Sequence, residues 1–476
     1  MKSLIFFLVF FTLSLLGTAA YAENANIEPI KMKSDQLTEK ELSDISDGDY
    51  LTFYSADTLK LTLIPEESVQ AVYIIWNEPP EDYTVYSDTE TITVVGGFMH
   101  RLVTFSSPVE SVTIDNSQGG EICDIYLFRD LNLPDYVQKW EPPCKQADML
   151  VFSAHADDEF LMFGGTIPYY AKERDLRLQV VYMTTHWEEQ PRPHELLDGL
   201  WAAGVENYPV IGIIPDIPYQ PIFTLSEAAQ LYDFDEVLEW FTEQIRRFKP
   251  SVIVTHDLKG EYGHAAHKLA AKTAADAVEI SFDSEIYPES AEKYGVWDVP
   301  KTYLHFYGEN AVEMDWEMTL ESFGGITARE AAALCYDKHR SQHIWGYSVN
   351  YGDKWDCRQF GLYRSLVGND TVADFMENIT PVTEEETRTE AAEETEAAEE
   401  IETSEETERV TEAESTPPVT PIETVLDTLN AKFETTAPEA DNNDSCGTVD
   451  YGIILVFAII ILAIVTIIVI IIKIKR

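Results

Sequence analysis

His155 and Asp158 stand three residues apart in the run Ala154-His155-Ala156-Asp157-Asp158-Glu159, and offer a nitrogen and an oxygen to one small divalent ion such as zinc. Asp157, between them, points differently and is left for work as a base. A second cluster reads His256-Asp257, then Glu261-Tyr262-Gly263-His264-Ala265-Ala266-His267. If a helix opens here, His264 and His267 share one face, because residues three apart are neighbours on a helix. One imidazole then completes the metal's protein ligands, and the other is left for a substrate oxygen. Ordinary roles stay open beside these: His-Asp pairs also cap helices, and His100, His186, His194, His256, His305 and His339 read as structural residues.

Both clusters directly follow strand-like runs, Met149 to Ser153 and Val252 to Thr255. Around them the pattern alternates strand and helix. Helices are expected over Phe160–Arg174, His194–Ala203, Glu227–Phe248 and His264–Ile280. Further strands are expected over Leu176–Met183, Val210–Ile214 and Tyr303–Tyr307. This rhythm implies an α/β domain with a mostly parallel, Rossmann-like sheet, and such sheets bind ligands beyond the carboxyl ends of their strands. Upstream, from Gly48 to Asp130, short runs rich in Val, Ile, Tyr and Thr between turn residues predict a β-sandwich: Tyr50–Tyr54, Leu59–Ile64, Val69–Trp76, Thr91–Val95, Leu102–Phe105, Val112–Ile114 and Cys123–Phe128.

The first cluster resembles the AHPDDE motif of the LmbE-like, or PIG-L, N-acetylglucosaminyl deacetylases, and Gly263-His264-Ala265-Ala266-His267 resembles their GHxxH motif. Gly164-Gly165, Arg192-Pro193-His194-Glu195 and Lys338-His339-Arg340-Ser341-Gln342 follow the family's order, over about residues 148–367. The resemblance implies zinc held by His155, Asp158 and His267, with Asp157 as general base. His264 would stabilise or protonate the tetrahedral intermediate, Tyr262 would help polarise the amide, and Arg192 would contact the substrate. Two positions depart from the pattern. Ala156 replaces a proline, which is expected to loosen the loop, and Ala266 replaces a polar residue, so Asp257 is expected to orient His264. Glu159 is either a residue behind the ligands or a charge at a helix N-terminus. The stretch Ala71–Trp76 with Glu78-Pro79-Pro80 and Tyr83 resembles, more loosely, the galactose-binding-like (discoidin-type) sandwiches.

The ends of the chain carry different signals. Residues 1–22 read as a signal peptide closing on Ala20-Tyr21-Ala22, and 451–472 as one transmembrane helix followed by the basic tail 473–476. The basic tail places the C-terminus in the cytoplasm and the bulk of the chain outside the cell membrane. Residues 379–449, rich in Glu and Thr, read as a disordered acidic stalk. That leaves 26–145 for the sandwich and 146–378 for the deacetylase-like domain. With 84 acidic residues against 33 basic ones, the net charge of −51 excludes nucleic acid as a partner. The expected partners are an N-acetylated amino sugar or glycan and the membrane, the expected cofactor Zn2+. A glycan-binding protein with a relic catalytic domain is the alternative. Cysteines outside the cell are free to pair, and the shortest loops join Cys123 to Cys144 and Cys335 to Cys357, with Cys446 left over; free buried thiols are the alternative.

Overall fold

The computed structural model describes residues 27–187, 189–215, 226, 232–352 and 354–381. The segments expected as leader, spanning helix and basic tail, and the expected stalk beyond Pro381, lie outside them. Among the described residues no helix is long and apolar enough to cross a membrane. The described residues fall within one unit, Met1–Ser415.

The first part is two stacked antiparallel sheets. After β1 (Met32–Lys33) and the short helix α1 (Glu39–Asp44) come β2 (Tyr54–Ala56), β3 (Leu59–Pro65), β4 (Val69–Trp76) and β5 (Tyr83–Tyr86). β6 (Thr91–Val94), β7 (His100–Val109), β8 (Val112–Asn116) and β9 (Gly120–Phe128) complete it. One sheet runs β1-β3-β8-β5-β6 and the other β2-β9-β4-β7. β3 alternates buried and open side chains, as a strand with one solvated face must, whereas β4 is almost wholly buried because both its faces are covered. Trp76, Leu61, Ile114 and Leu127 belong to the core between the sheets. The strand expected over Tyr50–Tyr54 is largely loop; β5 and α1 were not foreseen. Gly48 ends the preceding turn with a φ of 75°, and Tyr50 is turned toward the second part of the chain.

The second part is one six-stranded sheet, ordered β11-β10-β12-β13-β17-β14. Its strands are β10 (Met149–Ser153), β11 (Leu178–Tyr182), β12 (Val252–Thr255), β13 (Lys301–His305), β14 (Ala311–Glu313) and β17 (Gln359–Ser365), with β15 (Thr319–Leu320) and β16 (Ile326–Thr327) as a separate hairpin. β11, β10, β12 and β13 are parallel; β17 runs antiparallel to β13, and β14 antiparallel to β17. The helices are α2 (Asp158–Leu161), α3 (Arg192–Ala202), α4 (Phe234–Phe248), α5 (Ala265–Ile280), α6 (Pro288–Tyr294) and α7 (Ala328–Tyr336). Val210 and Ile214 form only isolated bridges to Val181 and Thr184, so the strand expected there is not continuous. The helix expected over Phe160–Arg174 is broken: α2 stops at Leu161 and a wide turn over Pro168–Glu173 follows. Gly164 has a φ of 54° and lies so close to Trp316 and Cys357 that no side chain would fit, and Pro168 cannot donate to a continuing helix. α4 starts at Phe234, capped by the Asp233 carboxylate, and Glu227 lies outside the described residues.

One point of topology positions the site. The chain leaves β10 to one side for β11 and then returns to the other side for β12, so strand order reverses between β10 and β12. These two strands are neighbours in register, Val151 beside Val254, and the loops that follow them emerge side by side.

Candidate active site

The loop after β10 brings His155 and Asp158 together, and the loop after β12 with the start of α5 brings His267 to the same point. His155 Nδ1 lies 2.9 Å from Asp158 Oδ2, and His267 Nε2 lies 3.0 Å from that same oxygen. All three are buried. His264, at the N-cap of α5, and Tyr262 are half-buried at the mouth, and the Tyr262 hydroxyl lies 3.5 Å from His267 Nε2. Two groups of side chains among the described residues lie close enough together to hold a metal ion: His155, His264 and His267, and Asp158, His256 and His267. His256 is already engaged, since its Nε2 accepts the backbone N–H of Ala154 at 2.9 Å and its Nδ1 meets Glu261 Oε2 at 2.9 Å. Two imidazole nitrogens and one carboxylate oxygen gathered this closely fit a divalent metal ion.

Behind the donors stands Glu261, which the sequence reading passed over. Its Oε2 accepts from Nδ1 of both His256 and His267, at 2.9 and 2.7 Å, and its Oε1 from His305 Nδ1 at 2.6 Å. A carboxylate on the far nitrogen fixes a ligand imidazole's tautomer and ring orientation. Asp257 does not have this role. Its carboxylate accepts the Lys259 N–H at 3.1 Å, and its own N–H donates to Glu261. The nearest sequence signal for Glu261 was its place within the second motif; nothing in its spacing announced contact with His305, 44 residues on.

Asp157 has a φ of 118°, a region in which a side chain costs about 1–3 kcal/mol and which recurs at functional sites. Its N–H donates to Glu159 Oε2 at 2.7 Å. Glu159 is therefore not a solvated helix charge: it is fully buried, and its other oxygen lies 3.2 Å from His339 Nε2. The expected loosening at Ala156 is also corrected. Its N–H donates to His186 Nε2 at 3.1 Å, a bond proline has no hydrogen to make, and its carbonyl accepts from Arg192 Nη2 at 2.8 Å. Arg192 thus braces the loop, with a further bond to Glu189.

Electrostatics separate the two neighbouring aspartates. Burial, then the charge of Asp158, pushes the Asp157 carboxyl up to about 8. At Asp158 burial again raises the carboxyl, but His267 and His155 outweigh it and hold it well below the usual range. Burial likewise opposes a charge on His267, yet Asp158 and Glu261 raise it to about 10. Two adjacent carboxyls with divergent affinities for protons are what a ligand and a base require.

Cys123, Cys144, Cys335 and Cys357 are all free and buried, which overturns both expected disulfides. Cys123 on β9 faces Tyr50 and His194, whereas Cys144 bonds through its N–H to Gln179 on β11. Cys335 and Cys357 pack as apolar groups in the α/β core, and burial pushes each of the four thiols up to about 12.

Residues 150–278 match the family described as PIG-L, GlcNAc-PI de-N-acetylase. This segment belongs to the PIG-L family. The PIG-L segment holds every donor named above, while His305 and His339 lie beyond it. Among curated relatives, the 1D-myo-inositol 2-acetamido-2-deoxy-alpha-D-glucopyranoside deacetylase 1 of Catenulispora acidiphila is 27% identical over 184 residues, 34% of this chain and 56% of its own length. The match thus spans little more than half of that relative. Among solved structures, the N,N'-diacetylchitobiose deacetylase of Pyrococcus horikoshii has 18% identity and a TM-score of 0.33, over 43% of this chain and 75% of its own. A CBM32 protein produced by Clostridium perfringens has 17% identity and a TM-score of 0.18, over 22% of this chain and 98% of its own.

Proposed function

We propose that the protein is a zinc-dependent hydrolase that removes N-acetyl groups from amino sugars, held at the outer face of the cell membrane by its C-terminal apolar segment. The observation that carries the reading is the convergence of His155, Asp158 and His267 on one oxygen, with Asp157 beside them. The PIG-L membership of the segment that bears them and the deacetylase named among its relatives support the same chemistry.

Zinc, when bound by those three side chains, supplies Lewis acidity that acidifies water and polarises an amide carbonyl. The rest is the work of the chain. Asp157, beside the donors, takes a proton from the attacking water onto its carboxylate. His264, at the mouth and on the open side of the site, donates its proton to the departing sugar nitrogen as the C–N bond breaks. Tyr262, whose hydroxyl lies 3.5 Å from His267 Nε2, donates its O–H to the amide oxygen. Arg192, through Ala156, keeps the loop from drifting as charge moves.

The test is metal analysis of the purified protein coupled to acetate release over a panel of N-acetylated amino sugars and their conjugates. One zinc per chain and acetate release that a chelator abolishes are expected. Zinc-loaded protein that binds glycans but frees no acetate from any of them makes it a binding protein instead. Tethering is tested by protease treatment of intact cells, which should release the folded part; protection until lysis would sink it.

A further inference from the structure

His339 lies outside the segment that carries the donors and takes no step in the proposed hydrolysis, yet it is fully buried against that segment. Its Nε2 lies 3.2 Å from Glu159 Oε1, and the other oxygen of Glu159 accepts the N–H of Asp157 at 2.7 Å. Glu159 is equally buried, so one carboxylate stands between an imidazole and the backbone of the base. A carboxylate is a strong acceptor for a backbone N–H, and an imidazole beside it compensates a charge that burial would otherwise leave alone.

Three features fix the imidazole at this point. Gly199 on α3 leaves it room: a Cβ there would stand 2.9 Å from His339 Nε2 and 3.0 Å from the Phe160 ring. Tyr336 stacks on His339 with ring centres 6.1 Å apart and planes within 21°, and its carbonyl accepts the His339 N–H at 2.9 Å. Two residues on, Ser341 donates through its N–H and hydroxyl to the Glu195 carboxylate at 2.8 and 2.5 Å. Gly199 and Glu195 both belong to α3, whose first residue, Arg192, holds the Ala156 carbonyl. The same helix therefore reaches the loop twice, directly through Arg192 and indirectly through His339 and Glu159.

What needs holding is the backbone of Asp157. Its φ of 118° is strained for any residue with a side chain, and such a conformation persists only where its surroundings enforce it. The Glu159 carboxylate bonds the N–H of the strained residue itself. We propose that Glu159 and His339 are positioning residues: Glu159 holds the Asp157 peptide in the strained turn that the base needs, and His339 keeps that carboxylate in place. This rests on the hydrolase reading above, in which Asp157 is the base.

The test follows zinc content, acetate release and hydrogen exchange in the zinc-loaded full chain, with N-acetylglucosamine and its β-1,4-linked dimer as probes. Glu159→Ala should lower kcat by about 100-fold and His339→Leu by about 10-fold, with KM and zinc content unchanged. Because His339 acts through Glu159, the double variant should be no worse than Glu159→Ala alone. Glu159→Gln keeps an acceptor for the Asp157 N–H and should recover most of the loss. Exchange over residues 154–161 should quicken in Glu159→Ala and His339→Leu while β12 stays protected. Unchanged kcat in Glu159→Ala, or losses that add in the double variant, overturns the proposal. If a single variant is left with a lone buried charge and does not fold, the double variant, which has none, is compared with Glu159→Gln: a lower kcat in the double variant supports the brace, and equal values overturn it. If the wild type frees acetate from neither sugar, it is the hydrolase reading that fails, and exchange alone then decides: faster exchange over 154–161 in the variants supports the brace, and wild-type exchange overturns it.

Discussion

Two groups of buried histidines in this molecule began with the same endowment and ended in opposite states. Around Glu261, the carboxylate gathers His256, His267 and His305, and His267 is raised to about 10. Along α3, where the sandwich meets the α/β region, Tyr73 O–H, His100 and His194 form a chain of bonds at 2.8 and 2.9 Å, and Tyr50 stacks on His194 at 4.2 Å. Among the described residues no carboxylate touches those two rings; burial pushes His194 down to about 3, and burial, then the neighbouring His194, holds His100 well below its usual value. Burial is common to both groups, so it does not make a metal site. The buried carboxylate sets the first group apart, because it holds one nitrogen of His267 and leaves the other aimed at Asp158. The neutral pair instead joins two parts of the chain: Tyr50 O–H and Gln138 hold Asp198 on the same helix whose first residue braces Ala156.

The comparison can be broken most sharply by removing ligands. His155→Ala and His267→Ala should each lose zinc and all acetate release while staying folded, whereas His194→Gln should keep one zinc per chain and lose about 1–3 kcal/mol of stability. Metal analysis with thermal unfolding distinguishes them, and full zinc occupancy in His267→Ala would remove the ligand assignment. Next in size is Asp157→Asn, expected to retain zinc but to lower acetate release by ~10²- to 10⁴-fold in single-turnover measurements. Loss of zinc from this variant would mean that Asp157 is a ligand and not a base.

Glu261→Gln tests the carboxylate directly. Zinc affinity, measured by competition with a chelator, should fall by about 10- to 100-fold, while Asp257→Asn changes it little. The reverse ranking would restore Asp257 to the role the sequence suggested. The smallest effect is on stability in acid. His194 has a folded affinity for protons below its unfolded one, so its contribution is complete above about pH 6.5 and is lost as pH falls toward 3. Between pH 6.5 and 5 that is about 2 kcal/mol. The fall in unfolding free energy over this range should be shallower in His194→Gln, and identical slopes would refute the assignment.

Local chemistry was legible in the one-dimensional chain wherever a few consecutive residues suffice. The spacing of His155 and Asp158 after an apolar run, and of His264 and His267 at a helix start, is set by neighbours, and the alternation of strands and helices placed both at strand ends. What depends on residues far apart was not legible. The spacing of Glu261 gives no sign that His305 reaches it from β13, because only the pairing of β12 with β13 brings them together. The same holds for Ala156, whose missing proline looked like a loss until His186 and Arg192 closed on its N–H and carbonyl. The broken helix after Leu161 answers to Trp316, and the four buried thiols stay unpaired. Residue type and short spacing determine which groups are able to act. Strand order, by making β10 and β12 neighbours, decided which of them meet.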